Sequence, residues 1–243
     1  MTQDIATPFA PLDNPSQWTR GLLFGVVIML VASIGSDLMQ NELLSRAKTG
    51  NASQSEAAAD DVREKVIGGL YLLAVAVAGI AFLVWFRRAW RNLKSLGGRD
   101  LKYSTAWAVG GFFVPILNLY RPIQVMREVW HGSDPSNLER DLQPDGPQIR
   151  NQLPTPATIA WWWGLLDVSM LLGRTAIRIV LGDGSTIDQL HAANTLYILD
   201  SMVCIPAVVL AIRIVNRITR WQGERWSLIA GLQDESYVLP SVV

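Results

Sequence analysis

Apolar residues along the chain fall into four long blocks, which are separated by polar segments. The blocks cover about residues 20–40, 66–90, 157–181 and 192–217. A helix needs about 20 apolar residues to cross the hydrocarbon core of a bilayer, and each block has roughly that length. The pattern therefore predicts an all-α protein, a four-helix transmembrane bundle with one membrane domain over residues 20–222.

A shorter apolar stretch lies between the second and third blocks, within residues 104–131. Gly110, Gly111 and Pro115 interrupt it, and a proline inside a helix breaks the helical hydrogen bonding. A fifth crossing here would be short, and it would move the arginine-rich C-terminal segment to the other side of the membrane. We therefore expect an interfacial or re-entrant helical element, with two short helices that meet near residues 115–118. A re-entrant element would have to be buried against the bundle, because non-helical backbone is not tolerated beside lipid.

The remaining segments are polar. Residues 41–65 connect the first two helices, and a tight turn over 182–185 connects the last two. Residues 133–156 are rich in proline, aspartate and asparagine, which predicts a flexible cytoplasmic linker. Residues 1–19 are expected to be a flexible N-terminal tail. Residues 223–243 are expected to be a cytoplasmic C-terminal tail, of which the last dozen residues are flexible.

Lysine and arginine are distributed unevenly over these connections. Fifteen lie before the first helix, between the second and third, or after the fourth: Arg20, Arg87, Arg88, Arg91, Lys94, Arg99, Lys102, Arg121, Arg127, Arg140, Arg150, Arg213, Arg217, Arg220 and Arg225. Four lie between the first and second: Arg46, Lys48, Arg63 and Lys65. Because cytoplasmic loops carry the excess of basic residues, both termini are predicted to be cytoplasmic, in a cell (inner) membrane. All 10 tryptophans fall near the same inferred interface.

Composition excludes several classes of function. The chain is 50% hydrophobic and 17% charged, which is more apolar than a usual soluble domain, and its formal net charge is zero. Nucleic-acid binding is not expected without a basic excess. Cys204 is the single cysteine, and the two histidines lack ligand-type spacing, so no metal or other cofactor is predicted. The sequence shows no nucleophile–base pair and no phosphate loop, so we do not expect an enzyme.

The third predicted helix carries three ionisable residues, Asp167, Arg174 and Arg178, on one narrow arc. Each such charge costs about 2.5–3.5 kcal/mol at the centre of a membrane helix, so the arc should face the bundle interior. If the third and fourth helices are antiparallel, Asp200 lies level with Arg174 and should form an ion pair with it. The stripe is either an ion pair that fixes helix register or a polar conduit or ligand-binding pocket.

A second candidate site follows the break at Pro115. Asn118 could hydrogen-bond backbone groups that the break leaves free, and Arg127, Glu128 and Trp130 then lie on an amphipathic helix. The complete set is Pro115, Asn118, Tyr120, Arg121, Pro122, Arg127, Glu128 and Trp130. It is interpreted either as a structural elbow that docks a surface helix or as a re-entrant gate or lipid-headgroup site.

Several short motifs in this region form a specific pattern. They are WFRRAWRN at 85–92, WAVG at 107–110, VPILNLYRP at 114–122, VMREVW at 125–130 and WWW at 161–163. The pattern resembles the domain of unknown function 4328 family, and the resemblance covers about residues 20–222. It implies a bacterial integral membrane protein, and it brings no known reaction, ligand or partner.

These observations predict a multi-pass membrane protein that acts as a non-enzymatic scaffold or as a subunit of a membrane assembly. Its expected partners are the lipid bilayer and another membrane protein or a second copy of the chain. Residues 87–102 carry six positive charges beside a membrane helix and should attract anionic lipid headgroups. The alternative is a small transporter or channel that uses the charged stripe of the third and fourth helices.

Overall fold

The computed structural model describes residues 8–182 and 186–238, and all regular structure in these residues is helical, as predicted. A short 3₁₀ helix, Pro135–Asn137, lies between an α-helix that ends at Ser133 and one that begins at Leu138. The α-helices are α1 (Asp13–Lys48), α2 (Gln54–Ser95), α3 (Thr105–Gly110), α4 (Pro115–Asn118), α5 (Arg121–Ser133), α6 (Leu138–Leu142), α7 (Gly146–Gln152), α8 (Ala157–Val180) and α9 (Ile187–Val238).

Local capping interactions set the ends of the long helices. The backbone N–H of Glu56 donates to Ser53 Oγ over 3.2 Å, and the N–H of Ser53 donates back to the Glu56 carboxylate over 2.8 Å. Thr186 and Gln189 form the same reciprocal pair at the start of α9. Such capping boxes satisfy backbone donors that have no partner inside the helix. Gly50 ends α1 in the left-handed region, with a φ of +73°.

The helices are therefore longer than hydropathy predicts. Most of residues 41–65, expected as a polar connection, belongs to α1 and α2, and α1 and α9 extend into the expected flexible tails. A helix can continue beyond its apolar stretch as a polar, water-exposed helix, and hydropathy does not register that part. The predicted turn residues 183–185 and chain ends 1–7 and 239–243 lie outside the described residues.

Residues 133–156 also differ from the flexible linker that their composition predicts. They form the 3₁₀ helix, α6 and α7, and both the 3₁₀ helix and α7 have proline in the first turn. A proline there is favourable, because its missing N–H would have no partner in any case. Leu138 and Asp141 of α6 are buried. Pro135 and Pro147 therefore start helices rather than prevent them.

Three of the described helices, α1, α2 and α9, are long and apolar enough to cross a membrane. The sequence analysis predicted four. The difference is α8, whose 24 residues include Asp167, Arg174 and Arg178 as well as the tryptophans at 161–163. These side chains lower the hydropathy of a helix whose other residues are mostly apolar.

The chain divides into two compact units, and each long helix contributes to both. The first unit comprises the described parts of Met1–Thr19, Ala81–Ala160 and Arg213–Val243. Aromatic and aliphatic side chains fill its core, among them Trp85, Phe86, Trp90, Leu93, Met126, Ile214 and Ile218. Trp85 also donates from its indole N–H to Thr219 Oγ1 over 3.1 Å. Several tryptophans that were expected at the membrane interface are thus core residues.

The second unit comprises Arg20–Ile80 and the described parts of Trp161–Ile212. Its buried apolar residues, apart from Trp162 and Trp163, are small or aliphatic, and include Val26, Leu30, Ala78, Ala176, Ala193, Ala207 and Ala211. Alanines at these positions let helix backbones approach one another closely. On α2, by contrast, Leu70, Leu72, Leu73 and Ile80 are exposed.

Candidate functional site

Asp200, on α9, contacts α8 in the second unit at residues that the sequence analysis did not single out. The hydroxyl of Ser169 donates a hydrogen bond to Asp200 Oδ1. A Cβ added at Gly173 would lie 3.1 Å from Asp200 Oδ2, so the carboxylate packs close to the backbone at this glycine. Ser169 and Gly173 are about one helical turn apart, and Asp200 therefore faces the side of α8 that carries both.

The predicted ion pair between Arg174 and Asp200 does not form. No salt bridge among the described residues joins them, and Arg174 and Arg178 are both exposed. The predicted antiparallel register is off by one residue, since Gly173 and not Arg174 lies at Asp200. One residue rotates a side chain by about 100° around the helix. The two arginines therefore do not face the interior, as the sequence analysis expected.

Asp167 is the remaining member of the predicted stripe. Its Oδ1 atom is buried and has no hydrogen-bond partner in the described part of the chain. Arg174 lies close enough to act on Asp167 electrostatically. The structure thus brings Asp167 and Arg174 near one another along α8 and brings Asp200 to Ser169, but it does not assemble the four residues into one site.

A polar cluster on α1 and α9 of the second unit was missed in the sequence analysis. Asp37 lies within the apolar part of α1 and is only 5% exposed. The side-chain amide of Asn194 donates to the backbone carbonyl of Asp37 over 3.1 Å. One turn away, after Asp37 on α1 and before Asn194 on α9, His191 Nδ1 lies 3.0 Å from Asn41 Oδ1. These hydrogen bonds join α9 to α1.

The cluster continues onto α2 through Ser36. The Ser36 hydroxyl donates to the Glu64 carboxylate over 2.5 Å and accepts from Arg63 Nε over 2.9 Å. Arg63 also pairs with Asp60, which is buried. Asp60, Arg63 and Glu64 have helical spacing, but the sequence analysis placed them in a non-helical connection and so did not recognise the pattern.

In the first unit, the segment around Pro115 folds as three short helices, α3 to α5, and no straight helix passes through Pro115. Pro115 is the first residue of α4, and the backbone N–H of Asn118 donates to the carbonyl of Val114 over 2.8 Å. The break is bordered by exposed apolar side chains, Phe113, Ile116 and Leu119. The rest of the first unit therefore does not cover these apolar side chains at the break.

The start of α5 is fixed by Tyr120, Arg121 and Pro122. Pro122 is buried in the first turn of α5, and Tyr120 precedes that turn. The Arg121 guanidinium lies 4.3 Å from the centre of the Tyr103 ring and 5.8 Å from that of Tyr120. A Cβ at Gly111 would lie 2.4 Å from Arg121 Cγ, so only glycine allows this close approach.

The rest of α5 packs inside the first unit. Trp130 contacts Trp221 edge to face at 4.9 Å, and the Arg217 guanidinium lies 5.5 Å from the Trp130 ring. Glu128 is buried and accepts a hydrogen bond from the backbone N–H of Lys102 over 3.1 Å. Burial raises the pKa of the Glu128 carboxyl. Arg127, the last predicted member of this site, is partly exposed.

His131 follows on the same helix, and its Nε2 atom lies 3.0 Å from the carbonyl oxygen of Pro154. Burial lowers the pKa of the imidazole, so the ring is held in its neutral form over a wider pH range. In that neutral form Nε2–H donates to Pro154. His131 therefore connects α5 to the segment that leads into α8.

Arg225 is a charged side chain that lies fully buried in the core of the first unit. Its guanidinium donates to the carbonyls of Leu96 and Asp134, each over 3.0 Å, and to Asp141 Oδ2 over 2.9 Å. Arg150 Nη1 lies 4.0 Å from the other Asp141 oxygen. Arg225 thus joins α9, the end of α2, and α6.

Gln222, one turn before Arg225, makes a second set of contacts. Its amide nitrogen donates to the carbonyl of Ala89 and to the Ser133 hydroxyl, and its oxygen accepts from Asn92 over 2.9 Å. The sequence analysis assigned the basic residues of this segment only to topology. The i, i+3 spacing of Gln222 and Arg225 on a continuing helix was the available signal.

Comparison with known proteins identifies one related family. The family model for the domain of unknown function DUF4328 matches residues 48–220, which is more than half of the chain. No curated protein and no solved structure matches the chain.

Proposed function

The chain belongs to the domain of unknown function 4328 family, and from that premise we propose that it is a multi-pass protein of the bacterial inner membrane that serves as a non-enzymatic scaffold or subunit. In this proposal four helices, α1, α2, α8 and α9, cross the membrane, and both termini are cytoplasmic. The basic run at residues 87–102 then lies at the inner surface, where it attracts anionic lipid.

A crossing by α8 is supported by its length and by the distribution of charge. Its 24 residues span about 36 Å, which exceeds the roughly 30 Å of a hydrocarbon core. An even number of crossings keeps the basic segments after α2 and at the end of α9 on one side, as the positive-inside rule requires. The exposed apolar residues around Pro115 favour an interfacial α3–α5 segment over a re-entrant one, since uncovered irregular backbone is excluded from hydrocarbon.

The limited burial of α2 carries the proposal of a scaffold. Only 11% of its most apolar window is buried inside the protein, compared with 39% for α9. Leu72 and Ile80 are 68% and 64% exposed. This surface is available to lipid and to the helices of another membrane protein. The buried polar side chains of the first unit, in contrast, are used to join its own helices.

Site-specific photo-crosslinking in native membranes tests this. A photoreactive amino acid is placed at Leu72 or Ile80, and Ala78, which is buried on the same helix, is the control position. We expect discrete crosslinked bands from the exposed positions and none from Ala78, with mass spectrometry identifying a membrane protein or a second copy of this chain. Crosslinks to lipid alone from both exposed positions would overturn the scaffold proposal.

Cysteine labelling in intact cells tests the topology separately. In a Cys204→Ser background, Gln54→Cys and Leu181→Cys should react with a membrane-impermeant reagent, and Lys94→Cys should not. Gly231→Cys is decisive, because no atom lies within 4 Å of a Cβ built there. Four crossings leave it protected, whereas three crossings, with α8 outside the membrane, would expose it.

A small transporter or channel is the second candidate, and the buried polar cluster around Asp37 favours it. Ionisable residues inside membrane helices are costly and often mark ion or proton pathways. In proteoliposomes with an internal pH dye, proton flux driven by a potassium diffusion potential would support this function if Asp37→Asn abolished it. The scaffold proposal expects no flux above that of empty liposomes.

A further inference from the structure

Three arginines of α2 line a cavity in the first unit. Its volume is about 290 Å³, and Arg87, Arg88 and Arg91 form one side of it. Pro8 and Ala10, from the segment before α1, also line it. The cavity thus brings together two parts of the chain that are far apart in sequence.

Hydrogen bonds hold this N-terminal segment in place. Asn92 accepts from the backbone N–H of Ala10 over 3.0 Å and donates to its carbonyl over 2.8 Å. Arg88 donates to the carbonyl of Pro11 over 3.2 Å. Asn92 is itself buried and bonded to Gln222, so the N-terminal segment is attached to the core of the first unit. A ligand would enter a site that is already formed.

The described residues that line the cavity do not compensate its positive charge. None of the described residues that line it is acidic. Arg87 and Arg91 lie four residues apart on one face of α2 and are both exposed. Planar guanidinium groups present paired N–H donors that match the oxygens of a phosphate group. Topology alone explains positive charge at this place, but it does not explain a walled cavity around it.

One edge of the cavity is apolar. Val84 lies one turn before Arg88 on α2, is 54% exposed, and lines the cavity together with Pro8. The apolar part of α2 precedes Val84 in the chain. A phospholipid that places its phosphate at the arginines could lay its glycerol and first methylene groups along this edge.

We propose that this cavity binds a phosphate-bearing anion through Arg87, Arg88 and Arg91. The source of the phosphate is either the headgroup of an anionic phospholipid or a soluble phosphate compound. The proposal rests on the proposed function only in locating the cavity at the membrane surface.

Binding is measured on the full-length protein in a neutral detergent, by titration calorimetry and native mass spectrometry. The probes are short-chain phosphatidylglycerol, short-chain phosphatidylcholine and inorganic phosphate. The cavity variant is Arg87→Gln with Arg91→Gln. The matched control, Lys94→Gln with Lys102→Gln, removes the same charge from the same basic run but changes no residue that lines the cavity.

We expect phosphatidylglycerol to bind more tightly than phosphatidylcholine, with a loss on the order of tenfold in the cavity variant and less than about twofold in the control. Binding of inorganic phosphate with the same pattern of losses, and without preference for the lipid, would support the site and assign it to a soluble compound. Equal losses in both double variants, an unchanged affinity in the cavity variant, or no binding by the wild-type protein would each overturn the proposal. Because no protein partner is present, these results are independent of the crosslinking test.

Discussion

The guanidinium of Arg225 pairs with the carboxylate of Asp141 over 2.9 Å, and neither side chain is exposed. A buried ion pair of this kind contributes little net free energy compared with apolar residues, but removing one partner leaves the other charge poorly compensated. Without Arg225, the cations nearest to Asp141 would be Arg140 and Arg150, at 3.8 and 4.0 Å. The pair therefore makes the first unit sensitive to single substitutions at either end.

Arg225→Met should lower the free energy of unfolding by about 3–5 kcal/mol, because Asp141 loses its closest cation. The carbonyls of Leu96 and Asp134 also lose a donor. Thermal unfolding in detergent, followed by tryptophan fluorescence, measures the change.

The control is Arg220→Met on the same helix. Arg220 pairs with Glu224 over 3.4 Å, but both side chains are largely exposed, and such surface pairs contribute about 0–1 kcal/mol. Similar losses in the two variants would show that the burial of Arg225 has no energetic consequence.

Arg225 also illustrates what the sequence alone could not show. Hydropathy predicted the long helices, and Pro115 predicted the break between α4 and the preceding residues. Arg225, however, was assigned to the C-terminal tail, because its partners lie 84 to 129 residues away and two of them, Asp134 and Asp141, were placed in a flexible linker. Local patterns carry no information about such distant pairs.

At Asp200 the sequence indicated the right residue and the wrong partner. An antiparallel arrangement of α8 and α9 predicted Arg174 as the partner of Asp200. In the structure Gly173 and Ser169 contact Asp200 instead. Facing positions on two helices can be predicted only to within about a residue, and one residue changes the face completely. Among the neighbouring residues of α8, the opposite charge of Arg174 then made it a more plausible partner for the Asp200 carboxylate than a serine or a glycine.

Neighbouring glycines before α4 should differ in their tolerance of alanine. Gly111→Ala places a Cβ 2.4 Å from Arg121 Cγ, close to the backbone of that residue, and should lower the free energy of unfolding by about 1–3 kcal/mol. Gly110→Ala, which has nothing within 4 Å, should be neutral or slightly stabilising. Thermal unfolding of the two variants makes the comparison, and a larger loss for Gly110→Ala would contradict it.

Glu128 should make stability depend on pH. Burial holds its folded-state pKa above the ordinary 4.5, although Lys102, Arg127 and Arg150 oppose the shift. The folded protein then binds the proton more tightly than the unfolded chain, so the free energy of unfolding falls as pH rises from about 4.5 through the folded-state pKa. Glu128→Gln should flatten this decrease in unfolding measured from pH 4 to 8. Glu139→Gln, an exposed control, should leave it unchanged.

The contact of Asp200 with Ser169 predicts a different order of effects from an Arg174–Asp200 ion pair. Ser169→Ala removes a donor to the Asp200 carboxylate and should lower the free energy of unfolding by about 1–3 kcal/mol. Thr175→Ala should have little effect, because that hydroxyl is exposed and bonds only within α8, to the carbonyl of Leu171. Arg174→Gln should also be mild, since the arginine is exposed. Thermal unfolding in detergent ranks the variants, and a loss for Arg174→Gln as large as that for Ser169→Ala would favour the ion pair over the contact described here.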